Sequence, residues 1–160
     1  MRVAFLVLAL VLPVAAVAAP TPPRTARPAE CSIAYDARQE LTDLIRAERF
    51  TFDGYDALCA RLDKEGMAID IVSGSGVLQE RAFGWASIRL VRISTRIYGS
   101  LSRASTSLGR EATTPEAQHL ALQSTNSALR DIARDPDEFV RSVVDEEARL
   151  RRVLAPAPAK

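Results

Sequence analysis

Apolar residues recur at helical spacing near both ends of the chain and alternate with polar ones in the middle. Ile33, Ala37, Leu41, Leu44 and Ile45 form a stripe that predicts a helix over 30–49. Leu58, Cys59 and Leu62 share one face of a second predicted helix over 53–65, with Asp53 as its cap and Gly66 at the C′ position. Together they read as a helical hairpin. Towards the C-terminus, Thr113-Thr114-Pro115-Glu116 combines a cap, an early proline and a capping-box glutamate. The helix it opens, 115–134, would bury Ala117, Leu120, Ala121, Ala128, Leu129 and Ile132. Asp135-Pro136-Asp137-Glu138 repeats the device for a helix over 136–154. Phe139, Val140, Val143, Val144, Leu150 and Leu154 would face inward along it, and Arg149, Arg151 and Arg152 suit its C-terminal dipole.

The stretch 67–108 carries two periodicities at once. As a helix, Phe83, Ala86, Leu90, Ile93, Ile97, Leu101, Ala104 and Leu108 would make one apolar seam, and the fold would be an all-helical bundle. As strand, Ala82, Gly84, Ala86, Ile88 and Leu90 alternate with Arg81, Phe83, Trp85, Ser87 and Arg89. Branched Ile88, Val91, Ile93 and Ile97, a high density of Ser and Thr, and Gly99 all disfavour helix. Strand outweighs helix here. Met67 to Val72 reads as a short strand and Ser73-Gly74-Ser75-Gly76 as the turn after it. The expected fold class is α+β: a helical hairpin, a small antiparallel sheet and two C-terminal helices.

The N-terminus changes the picture of where this domain works. Arg2, the apolar run from Val3 to Val14, and Ala16-Val17-Ala18 have the layout of a secretory signal peptide over 1–18. That run is too short to span a hydrocarbon core, which needs roughly 20 residues. A Pro-rich leader (19–29), one globular domain (30–154) and a disordered tail (155–160) are expected to follow. The mature chain should then be periplasmic or secreted, with no transmembrane segment after signal cleavage. In an oxidising compartment, Cys31 and Cys59 form a disulfide by default. Their spacing is not that of a redox or metal motif, and no metal or other cofactor is expected.

Without Arg2 the formal charges balance, at 20 basic against 20 acidic residues (21 − 1 Lys and Arg against 20 Asp and Glu). That balance argues against nucleic acid as the main partner. The charges are nonetheless segregated, because 81–110 holds six arginines and no acid between two acidic segments. Two readings are open: the arginines pair with those segments within the fold, or they form an exposed basic surface.

Candidate chemistry is sparse. His119 lies in an Ala- and Gln-rich helix with only Glu116 a turn away as an orienting partner. No nucleophile elbow, phosphate loop or calcium loop can be assembled from Ser73–Gly76 or Asp53–Asp56. The expectation is a non-catalytic protein. One constellation stands out: Arg81, Phe83, Trp85 and Arg89, continued by Arg92 and Arg96. With the small residues of the strand turned towards helices, Phe83 and Trp85 would stand on the opposite face among arginines. Aromatic residues and arginine dominate interface hot spots. The opposite assignment, with both aromatics filling the core, is the more ordinary reading of the same alternation.

An exported, helix-rich domain with one Cys pair and the strand Phe83-Gly84-Trp85-Ala86-Ser87-Ile88-Arg89-Leu90 resembles small periplasmic immunity proteins of proteobacterial antibacterial secretion systems. The resemblance is one of general profile over 31–154. It implies a protein that neutralises a toxin or enzyme by protein–protein contact. A structural or envelope-stress accessory protein binding a cell-envelope component, and a hydrolase with an unrecognised site, are the alternative expectations.

Overall fold

The alternation in the middle of the chain is strand. The computed structural model describes residues 31–155; the expected signal segment 1–18, the leader 19–29 and all but the first residue of the expected tail lie outside the described residues. The elements run β1 (Tyr35–Asp36), α1 (Gln39–Glu48), α2 (Tyr55–Glu65), β2 (Met67–Leu78), β3 (Arg81–Arg92), β4 (Tyr98–Leu108), α3 (Thr114–Arg134) and α4 (Pro136–Leu154). The fold is α+β. Its sheet has the order β1-β2-β3-β4, with β2, β3 and β4 an antiparallel meander and the short β1 parallel to β2.

Both C-terminal helices start where their capping residues predict. Thr113 Oγ1 accepts from the Glu116 backbone N–H at 3.3 Å, and Asp135 Oδ1 accepts from that of Glu138, also at 3.3 Å. The six residues expected to be buried on α3 are buried, and so are Leu122, Ser124, Thr125 and Asn126. The helix is hidden on more than one side because it packs on the sheet and also supports α1 and α2. On α4 the stripe is narrower than expected: Phe139, Val140 and Val143 are buried, but Val144 and Leu154 are exposed.

The N-terminal half departs further from the expectation. The first helix begins at Gln39 rather than 30, because the segment before it is drawn into the sheet by the Ile69 N–H donating to the Ala34 carbonyl (2.9 Å). Asp53 does not cap α2. Gly54 holds the cap position with φ of 89°, a left-handed conformation that glycine adopts without penalty. The two helices are seated against α3 more than against each other. The Cys31–Cys59 disulfide is present, but it joins α2 to the segment leading into β1 rather than one helix to another. Closing a loop of 28 residues, it contributes on the order of 3 kcal/mol.

Ser73-Gly74-Ser75-Gly76 is not a turn but the second half of β2. The chain reverses at Gln79-Glu80 instead, with Gln79 at φ of 56°. Packing separates the sheet into two unlike faces. Ile69, Ile71, Ala86, Ile88 and Leu90 share one core with Leu58, Leu62, Leu129, Ile132 and Val143 of the helices. The approach is close at two glycines. A Cβ on Gly84 would collide with the backbone nitrogen of Ala121 in α3, and one on Gly99 with the Ser142 hydroxyl in α4. The alternate residues of the strands form the other face, over which no helix of the described residues lies.

Candidate functional site: the open face of the sheet

Strand register decides what the open face carries. Residues 81, 83, 85, 87 and 89 of β3 point away from the helices, so Arg81, Phe83, Trp85 and Arg89 lie in one row. Trp85 is 36% exposed although it is the single tryptophan of the chain. The glycines of β2 account for its posture. Gly74 is paired with Trp85 and Gly76 with Phe83, and each aromatic ring lies across its glycine. A Cβ at Gly74 would come within 2.6 Å of Trp85 Nε1, and one at Gly76 within 3.0 Å of Phe83 Cζ. The rings therefore cover the β2 backbone and leave their outer surfaces exposed. Val72 and Leu78 of β2 and Leu108 of β4 extend the apolar surface; Leu78 is 68% and Leu108 67% exposed. A hollow of about 690 Å³ opens where Leu78, Arg81, Phe83, Thr106 and Leu108 meet.

Of the six arginines of the basic band, Arg110 is exposed beyond β4, and the other five divide between the two readings of the sequence. Arg89 Nε donates to Asp70 Oδ2 at 2.7 Å across the strand pair, and its guanidinium lies 4.0 Å from the centre of the Tyr98 ring. It stays on the open face but is already engaged. Arg92 stands at an even-numbered position of β3, on the helix-facing side with Ile88 and Leu90 and not in the row. There it donates to Glu147 Oε1 at 3.2 Å and to the carbonyl of Glu65. Thr95 Oγ1 donates to the same Glu147 oxygen at 3.0 Å, so Arg92 ties the β3–β4 turn to α4 and cannot serve a surface. Arg103 approaches Glu138 of α4 at 3.9 Å. Arg96 sits in the turn beyond β3 with φ of 57°, off the strand row. Arg81 is exposed on the row and makes no ion pair among the described residues.

Of the sequence-predicted set, the structure thus brings Arg81, Phe83, Trp85 and Arg89 together and sets Arg92 and Arg96 apart. Val72, Leu78, Tyr98 and Leu108 were missed. Only the register of three strands puts them on this face, and the spacing of any one strand does not reveal it. The perturbed titrations lie elsewhere: the Arg149 guanidinium hydrogen-bonds to Glu146, holding its carboxyl below the usual range and the Arg149 pKa above its ordinary value, at the exposed end of α4. Among the described residues, no three of His, Cys, Asp and Glu converge as metal ligands, and no helix is long and apolar enough to cross a membrane. No protein-family model matches the chain, and no curated protein or solved structure matches it either.

Proposed function

We propose that the chain is an exported, non-catalytic binding protein that docks a partner protein on the open face of its sheet, as an inhibitor or immunity protein does. One observation carries the reading: Phe83 and Trp85 are braced on glycines and presented outward beside Arg81, on the face that no helix of the described residues covers. Pre-ordered aromatic rings lose little freedom on binding, which is why they make efficient anchors. The disulfide supports export, because such bonds persist in oxidising compartments.

Capture of the periplasmic partner by the tagged mature chain, followed by titration of the purified pair, tests the proposal. Trp85→Ala combined with Arg81→Ala should weaken binding by at least about 2 kcal/mol while the fold is retained. Raised salt should slow association more than it speeds dissociation. A folded double variant that binds the partner as well as the wild type does would refute this site.

A further inference from the structure

A second concave surface lies away from the aromatic row, between α3, the β4 edge and the loop joining α1 to α2. It encloses about 410 Å³ and is polar almost throughout, with Leu122 the single apolar side chain among the described residues of its lining. Arg49 and Arg130 supply its fixed positive charge, and His119 stands at its wall with Nδ1 3.1 Å from Glu48 Oε1. Ser105 and Ser107 come from β4, and Asn126 from α3.

Three features distinguish this groove from an ordinary patch of polar surface. Arg49, at the C-cap of α1, has φ of 66° and ψ of 167°, a region of backbone space that glycine occupies and other residues rarely do. The loop around it is pinned. Asn126, 8% exposed, accepts from the Thr51 N–H at 3.0 Å and donates from Nδ2 to Thr51 Oγ1 at 3.2 Å, so its amide is spent on holding the loop to α3. Finally, Arg130 Nε is shielded and has no hydrogen-bond acceptor among the described residues, although the side chain as a whole is 43% exposed; fully exposed Asp53 is 4.0 Å away. A buried donor without an acceptor is rare enough to require an explanation.

We infer that this groove is a binding site for an oxyanion, a carboxylate or phosphate group carried on a small hydroxylated molecule. The available hydrogen-bonding capacity is donor-rich. Glu48 is the one carboxylate of the lining and its Oε1 faces His119, the Asn126 amide is bonded to Thr51, and the guanidinium groups of Arg49 and Arg130 are donors only. Guanidinium forks suit carboxylate and phosphate oxygens, and serine hydroxyls suit the hydroxyl groups of the ligand. The shortage of apolar lining excludes a lipid tail or an aromatic ring as the main recognised group. A strained arginine, two residues before a threonine that a buried amide pins to α3, is a costly arrangement for a residue with no task.

Backbone amide spectra of the oxidised chain, titrated separately with inorganic phosphate and with glucuronate, test the site. The expected result is saturable shifts at Arg49, Ser105, Ser107 and Asn126 for at least one probe, with a Kd of about 1 mM or tighter. Whichever probe binds more tightly identifies the group recognised. Arg130→Gln should weaken binding at least tenfold, by about 1.4 kcal/mol. Arg49→Gly should do the same while raising the melting temperature, because glycine relieves the backbone strain as the guanidinium is lost. Loss of binding in a variant more stable than its parent cannot be ascribed to unfolding. Trp85→Ala should leave this binding unchanged, which separates the groove from the partner face. The inference is overturned if neither probe gives saturable shifts, if chloride reproduces them, or if Arg49→Gly binds like the wild type.

Discussion

The two faces of the sheet use glycine to opposite ends. On the covered face, Gly84 and Gly99 admit the backbone of α3 and side chains of α4, so the strand's neighbour is a helix. On the open face, Gly74 and Gly76 admit Trp85 and Phe83, so β2 is covered by side chains of the strand paired with it. The first arrangement ends in burial. The second leaves a ring with one side supported and the other free. A glycine inside a strand therefore marks close approach, and the approaching group decides whether the face is core or contact surface.

The sharpest way to break this contrast is Gly84→Ala, where the new methyl meets helix backbone that cannot swing aside. We expect a loss of about 3 kcal/mol in chemical denaturation. Arginines separate the faces next. Arg92→Ala removes the partner of nearly buried Glu147 and should cost about 2–3 kcal/mol. Arg81→Ala, on the open row, should change stability by less than about 0.5 kcal/mol. Equal effects of the two arginine variants would contradict the division made here. Gly74→Ala should also cost far less than Gly84→Ala, because the methyl meets the far end of a movable side chain. Its net cost should stay within about 1 kcal/mol, since the ring's displacement is partly offset by alanine's lower backbone entropy loss. The emission of the single tryptophan should shift to the red as Trp85 lifts from β2.

These glycines also show where sequence reasoning reaches its limit. The helix starts at 114 and 136 were legible because capping is local, with Thr113 and Asp135 each acting three residues ahead. The alternation of β3 was legible too, with small residues marking the helix-facing side. Ser73–Gly76 misled because a glycine run signals a turn unless the cross-strand aromatic residues are known. Gln79-Glu80, the actual turn, lacks the usual turn residues. Strand β1 was invisible, since two residues carry no periodicity. The polar groove was equally hidden, as Glu48 and His119 meet only through tertiary packing.

The order of the strands has a consequence for how the chain assembles. Because β2, β3 and β4 lie in the sheet as they lie in sequence, their pairings close over short loops and cost little chain entropy. Joining β1 to β2 is different: it must be closed across both α1 and α2, and only two residue pairs reward it. That long closure is the one the Cys31–Cys59 bond bridges. The cross-link supplies by covalent means the proximity that the meander obtains from being local. Oxidised, the chain should refold as one cooperative unit. Reduced, it should retain the protected amides of the β2–β4 meander while those near β1 exchange first, so that the redox state of one bond sets whether the sheet has three secure strands or four.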